Sequence, residues 1–418
     1  MVKKYSVVQV QMQSGERMPL LVDASTGLGL FEPTGYALVL RNTNRATNTI
    51  AQALRAVMLL YQILDANGID LLQRIRANEL LTLGEIEALI EQCKLKKADL
   101  NEIHFGPIDE KVARLDLAKL KKGLKAQANL DTVDRGTAAV RVKYIKGYLE
   151  WLQEYAFLQK LPANRQLFKK VADATVKAIK ARTPKVRKKN ATQRKKGLTH
   201  AHQARLLSVM HPDSPENPWG DAFIRERNYL IVLLLLATGM RKGELLGVKV
   251  NDFNVRENKL LVARRPDDPE DRRRRKVYTK TYDRELLLGA ELVDSLKRYL
   301  KVVRASTDGA KQHPYLIVSE AGAPLALNSV DFMFAALRGV LHEIAKLSAH
   351  ILRHTWNDRF SEFAQNNLEP EDEKKTRNYI MGWTESSRSA ENYTARYVEM
   401  QAAEAMTAMQ NKMFKPMK

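Results

Sequence analysis

Twelve consecutive residues, Tyr229 to Met240, read YLIVLLLLATGM, and no charged side chain interrupts them. A helix that is apolar on every side has to be wrapped by other elements of its own domain. The run has the length of a buried helix and falls short of the roughly 20 apolar residues that a membrane span requires. A domain must therefore form around this segment, and Thr238-Gly239 marks where the helix breaks and a second one begins.

Composition limits what such a domain can serve. The 418 residues suffice for two or three domains, and 44% apolar residues suffice for real cores. Lys and Arg number 69 against 48 Asp and Glu, a formal charge of +21 that points to a polyanionic partner. Nucleic acid is the default partner and a membrane surface the competing one. No apolar run reaches spanning length, so no membrane association is expected. The first residues, MVKKYSVVQVQMQSG, alternate apolar and polar side chains and lack the apolar core of a signal peptide. A single cysteine, Cys93, excludes an intrachain disulfide framework and a Cys-based zinc site. The cytoplasm, in association with the nucleoid, is the expected location.

Four regions are expected. Residues 1–40 read as a strand-rich segment, with period-two stretches around Ser14-Gly15 and a further candidate strand in GYALVL. Their role is open between an extra DNA-contacting piece and a packing appendage. Residues 41–180 read as a helical domain. Thr82 and Glu85 form a candidate capping box there, and Val140, Tyr144, Tyr148 and Trp151 share one helix face in the manner of a core stripe. Residues 181–198 form a basic linker. From Lys169 to Lys196 there are twelve Lys or Arg residues and one acid, Asp173, so Lys185, Arg187, Lys188, Lys189, Arg194, Lys195 and Lys196 are candidate phosphate contacts. Residues 199–418 mix helices with a short strand region and begin with Thr199 as a helix cap.

Four stretches of this last region carry chemistry. In ATGMRKGELL, Arg241 and Glu244 stand three apart, so the carboxylate can brace the guanidinium. Between candidate strands KLLVA and RELLL lie Pro/Asp turn material, the basic run Arg272, Arg273, Arg274, Arg275 and Lys276, and then Lys280. A hairpin lysine can act as a proton donor, and the arginines read as a phosphate clamp or a solvated tip. In HILRHT, His350 and Arg353 share a helix face, and His354 stands four residues after His350. That His-x-x-x-His spacing occurs in zinc proteases, but Ile351 occupies the position of the required glutamate, so no metal is expected. In MGWTESSRSAENYTARY, Gly382 ends a helix, Trp383 follows, and Tyr393 lies in polar sequence.

In this order the stretches resemble the signature of the tyrosine recombinase (phage integrase) family, over roughly Gly197 to Ala402. The resemblance implies a helical, SAM-like core-binding domain followed by a mixed α/β catalytic domain with a small antiparallel sheet. It implies a catalytic set of Arg241, Lys280, His350, Arg353, Trp383 and Tyr393, with Tyr393 as nucleophile and Glu244 in support. Trp383 stands where the family usually has histidine, and its indole N–H can donate a hydrogen bond but cannot shuttle a proton. Lys276 rivals Lys280 as the hairpin lysine, and Tyr397 is a fallback nucleophile.

The implied activity is site-specific cutting and rejoining of duplex DNA through a 3′-phosphotyrosine, without cofactors, for integration or excision of a mobile element. The implied assembly is a tetramer on two DNA sites, with an accessory DNA-bending or directionality protein as a further partner. The tail beyond Tyr393 has Met and Ala at helical spacing, and it packs either on its own domain or on a neighbouring subunit. Rival readings are a non-cutting DNA-binding accessory or regulatory protein on the same scaffold, and a type IB topoisomerase-like or telomere-resolving enzyme.

Overall fold

The computed structural model describes residues 4–13, 16–96, 131–159, 162–186, 195–265, 268–273, 277, 281–387 and 389–414. The chain divides into two compact units, residues 1–188 and 189–418, and the division falls within the basic stretch.

The first unit opens with an antiparallel hairpin of β1 (Tyr5–Gln11) and β2 (Arg17–Asp23). Its register runs from Tyr5 opposite Asp23 to Gln11 opposite Arg17, while the predicted Ser14-Gly15 turn lies outside the described residues. The expected third strand, GYALVL, is a correction: it belongs to helix α1 (Phe31–Asn42). Pro33 is tolerated in a first helical turn, where its missing N–H costs nothing. Tyr36, Ala37 and Leu40, three and four apart, then meet the core, whereas adjacent Leu38 and Val39 stay exposed.

Helices α2 (Thr47–Ala66), α3 (Leu71–Arg76), α4 (Leu83–Lys94), α5 (Arg135–Gln159) and α6 (Pro162–Arg182) complete this unit. The Thr82–Glu85 capping box forms at the start of α4, and Arg74 clasps the same Glu85 at 2.6 Å. On α5 the predicted aromatic stripe is core: Tyr148 is fully buried, and its hydroxyl meets that of Tyr61 at 2.8 Å. Tyr5, Met18 and Leu21 of the hairpin enter the same cluster, so the hairpin packs as part of the helical core.

The second unit begins with α7 (His200–Met210), capped by Thr199 as expected, and α8 (Ala222–Thr238). Within α8 the residues Ile231, Val232, Leu234 and Leu235 are fully buried, which places the apolar run at the centre of the core. After α9 (Lys242–Gly247), strands β3 (Phe253–Asn254), β4 (Lys259–Val262) and β5 (Arg284–Leu287) form an antiparallel sheet in that order. There follow α10 (Ala290–Arg298), α11 (Leu327–Val340), α12 (Ala349–Asn367), α13 (Pro370–Met381) and α14 (Ala395–Met413). The unit is therefore the mixed, mainly helical type with a small sheet that the sequence implied. Tyr397 at the start of α14 bonds Gln365 of α12 at 3.1 Å, while Met406, Met409, Met413 and Phe414 are exposed. Among the described residues no helix is long and apolar enough to cross a membrane.

Candidate active site

Helix α8 stops at Gly239, whose φ of +62° is the left-handed cap conformation that costs glycine little. The chain turns through buried Met240 and delivers Arg241 as the N-cap of α9. Glu244, one turn on, accepts the Arg241 backbone N–H at 3.1 Å and its Nη1 at 2.9 Å. The expected brace is thus present. Glu244 is also a hub the sequence did not reveal, accepting Arg284 Nη2 at 2.8 Å and Thr281 Oγ1 at 2.8 Å. Burial alone would raise its pKa, but Arg284, Arg353 and Arg241 outweigh it and hold the carboxyl at about 2. It is a fixed anion that positions cations. The one signal for Arg284 was its place beside alternating Leu286 and Leu288, an inward register at the start of β5.

Arg353, on the first half of α12, is 1% exposed. Its Nη1 donates to the Gly239 carbonyl at 2.7 Å, so the helix break that presents Arg241 also anchors the second arginine. Its Nε and Nη2 are sealed from solvent and have no partner among the described residues. Burial, followed by the repulsion of Arg241, pulls its pKa down to about 10.

Helix α13 ends at Gly382, and the next residue, Trp383, donates its backbone N–H to Asn378 O at 2.8 Å. The Trp383 ring stacks on that of Tyr393, with centroids 5.5 Å apart at 28°, and its Nε1 is a third buried donor without a partner among the described residues. Arg353 Cζ lies 5.3 Å from the Trp383 ring centre and 5.4 Å from that of Tyr393. Tyr393 itself follows a short helical turn, Ser389–Asn392, and donates its backbone N–H to Ala390 O at 2.8 Å. His350 approaches its ring to 5.6 Å and His354 to 4.7 Å. Partial burial, with Lys195, Arg353 and Arg241, lowers the His350 pKa. Burial and then His350 push His354 down to about 4. The structure thus gathers Arg241, Glu244, His350, Arg353, Trp383 and Tyr393 in one place. His354, dismissed above as half of a zinc spacing, joins them.

Tyr397 is directed elsewhere: its hydroxyl is held by Gln365, its backbone N–H by Asp358 at 3.3 Å, and burial raises its pKa. Lys276, Lys280, Arg274, Arg275, Arg187, Lys188, Lys189 and Arg194 lie outside the described residues. Lys185, Lys195 and Arg272 are exposed, as a phosphate contact needs, and Lys196 pairs with Glu399 at 2.7 Å.

Arg273 is a correction to the expected basic clamp. It is 7% exposed, its Nε pairs with Asp271 at 2.8 Å, and its Nη1 donates to Leu246 O at 2.8 Å. Its Cζ sits 4.4 Å from the Tyr315 ring centre, so this arginine clasps the base of the insertion to the domain. In the run of arginines, position on the chain gave no sign of which one turned inward.

Residues 196–399 match the sequence profile of the phage integrase family. The TnP I resolvase of Bacillus thuringiensis is 28% identical over 129 residues, 31% of this chain and 38% of that protein. The tyrosine recombinase XerC of Caldanaerobacter subterraneus subsp. tengcongensis is 27% identical over 173 residues, 38% of this chain and 42% of its own. The chain thus spans about two fifths of the length of these curated relatives. Among solved structures, the XerH site-specific recombinase bound to palindromic difH substrate aligns with a TM-score of 0.42 at 15% identity, over 78% of this chain and 95% of that one. The XerA recombinase aligns with a TM-score of 0.36 at 17% identity, over 90% and 97%.

Proposed function

Since residues 196–399 belong to the phage integrase family, we propose that this chain is a site-specific tyrosine recombinase that cuts and rejoins duplex DNA through a 3′-phosphotyrosine at Tyr393. One observation carries the reading. Three sealed donors that have no partner among the described residues, Arg353 Nε, Arg353 Nη2 and Trp383 Nε1, cluster at the ring of one tyrosine. A buried guanidinium left short of acceptors is costly unless something outside the chain supplies them, and a phosphate does.

The Tyr393 oxygen attacks the scissile phosphorus, its proton passing to His350. The bond from phosphorus to the 5′ oxygen breaks, and Lys280 protonates the departing oxygen. A tyrosine has an ordinary pKa of about 10, so it needs both a base and a cationic field. Arg241 and Arg353 supply the field, and they offset the extra charge that gathers on the nonbridging oxygens at the pentavalent transition state. The phosphotyrosine keeps the energy of the broken ester, so a second 5′ hydroxyl can reverse the attack on another strand. The rings of Tyr393 and Trp383 lie over Arg353 in the free chain, and binding of the phosphate moves Tyr393 off it.

The exposed Lys185, Lys195 and Arg272 track the DNA backbone, and affinity falls steeply with salt. Strand exchange proceeds in a tetramer on two sites, the exposed methionine face of α14 docking on a neighbouring copy, with integration or excision of a mobile element as the outcome. The test uses DNA flanking the protein's own gene in the presence of EDTA, with wild type and Tyr393→Phe side by side. An SDS-resistant, protease-sensitive adduct from wild type alone is expected. Retarded DNA with no adduct, on intact and on nicked substrates, would instead establish a binder that does not cut.

A further inference from the structure

The basic stretch in which the two units divide ends in a seat on α12. Leu198 donates its N–H to Thr355 Oγ1 at 2.8 Å and accepts Arg359 Nη2 on its carbonyl at 3.1 Å. Gly197, just before it, donates its N–H to Asp358 Oδ2 at 3.0 Å. A Cβ on residue 197 would stand 2.6 Å from the Thr355 main chain and 2.5 Å from that Asp358 oxygen, so the seat requires glycine. Thr355 and Asp358 follow Arg353 on the same helix, which puts the end of the linker directly behind the catalytic pocket.

The helix that follows Tyr393 is held by the same carboxylate. Asp358 is fully buried, and its Oδ1 accepts the Tyr397 N–H at 3.3 Å. Tyr397 stands in the first turn of α14, where backbone N–H groups have no acceptor within the helix and a carboxylate meets the favourable end of the helix dipole. Lys196 closes the triangle, its Nζ 2.7 Å from the Glu399 carboxylate of α14. The linker end, α12 and α14 are thus tied pairwise. On the other side of the nucleophile, Asn378 Nδ2 donates to Glu385 O at 3.0 Å. Tyr393 is carried between these two anchors, at residues 385 and 397.

We propose that residues 196–198, with Asp358 and Glu399, form a clasp that positions Tyr393, so that the segment joining the two units also sets the stance of the nucleophile. Lys196, Gly197 and Asp358 are positioning residues that act through the first turn of α14. Lifting Gly197 off Thr355 takes a donor from Asp358 and parts Lys196 from Glu399, and the turn behind Tyr393 loosens. The role of Tyr393 as nucleophile rests on the function proposed above, whereas the three-way tie does not.

The first measurement is amide hydrogen exchange, without DNA, on the full chain labelled with 15N-tyrosine. Tyr397→Phe assigns the Tyr397 signal, and the buried Tyr299 is the reference. Because the Tyr397 N–H has no acceptor within its helix, its protection reports the bond to Asp358. Gly197→Ala, a change in the linker, is expected to speed exchange at Tyr397 about tenfold, the worth of one charge-assisted hydrogen bond, and to leave Tyr299 unchanged. At saturating flanking DNA, Lys196→Glu and Glu399→Lys should each slow adduct formation about threefold, and the double reversal should recover the wild-type rate. Unchanged Tyr397 exchange in a folded Gly197→Ala overturns the proposal, with melting curves to establish the fold. If Gly197→Ala does not fold, the two charge reversals carry the same exchange comparison. A double reversal no faster than Lys196→Glu also overturns it, and makes Lys196 a DNA contact instead. If exchange at Tyr397 responds as expected but wild type never forms an adduct, the proposed activity fails and the tie stands.

Discussion

Two buried guanidiniums meet at α12, Arg353 from its first half and Arg377 of α13 against its middle, and they are furnished in opposite ways. Arg377 is 2% exposed and donates to Asn357 O at 3.0 Å, Asn357 Oδ1 at 3.3 Å, Ser361 Oγ at 2.7 Å and the Glu373 carboxylate, over the face of Phe360. Arg353 is 1% exposed and donates Nη1 to the Gly239 carbonyl, while its Nε and Nη2 have no partner among the described residues and two aromatic rings lie above it. The chain therefore satisfies one buried arginine at Asn357 and Ser361 of α12 and, about one to two turns earlier on that helix, does not satisfy another. Under the proposed function, the difference separates an arginine that holds the fold from one whose partner arrives with the substrate.

Arg353→Met is expected to produce the largest change. Adduct formation should fall by about a hundredfold or more, the order of 3 kcal/mol that one preorganised donor contributes. Thermal unfolding should change little, because the desolvation relieved by removing this buried charge offsets the lost bond to Gly239 O and the lost attraction to Glu244. Arg377→Met should reverse the pattern. Urea unfolding is expected to show a loss of about 2–3 kcal/mol from the broken charged hydrogen bonds, while folded protein cleaves at close to the wild-type rate. Similar effects of both substitutions on stability would erase the contrast.

How far the sequence carried this distinction depends on what each part of it encodes. The apolar run Tyr229–Met240, the cap at Thr199, the capping box at Thr82 and the aromatic stripe of α5 were legible because periodicity and capping are local properties. GYALVL misled because a short apolar stretch fits a strand and a helix equally well, and burial by neighbours decided between them. The site was legible as an ordered set of residue types. Its supports were not: Arg284 and Thr281 reach Glu244 across about 40 residues of chain, and nothing in their spacing announces a shared carboxylate. The inward turn of Arg273 was hidden for the same reason, as was the contact between His354 and Tyr393.

Acid sharpens the contrast from another side. The folded pKa of His354 is about 4, below an ordinary histidine near 6.5, so protons bind the unfolded chain first. Stability is expected to be intact above pH 6.5 and to decline as the pH falls toward 4, by on the order of 2 kcal/mol. Glu244, held at about 2, contributes a second loss as the pH falls through the range from about 4.5 to 2. Urea midpoints at pH 7 and pH 4.5 should differ less in His354→Gln than in wild type.

The smallest effect compares adjacent arginines of the insertion. Arg272→Ala should leave stability alone and reduce the slope of DNA affinity against salt by about 0.9, one phosphate contact. Arg273→Ala should instead lower the melting temperature, because its side chain is spent on Asp271 and Leu246 O. Equal salt slopes for wild type and Arg272→Ala would remove Arg272 from the DNA interface.

Trypsin offers the decisive separation at the nucleophile, since cleavage after Arg388 and Arg396 isolates Tyr393 in Ser389–Arg396 and leaves Tyr397 in the following peptide. The covalent complex, digested with nuclease and trypsin and weighed by mass spectrometry, should carry its nucleotide remnant on the Ser389–Arg396 peptide. A remnant on the peptide that begins at Tyr397, or on any other residue, would mean that the cationic pocket around Arg353 does not hold the nucleophile.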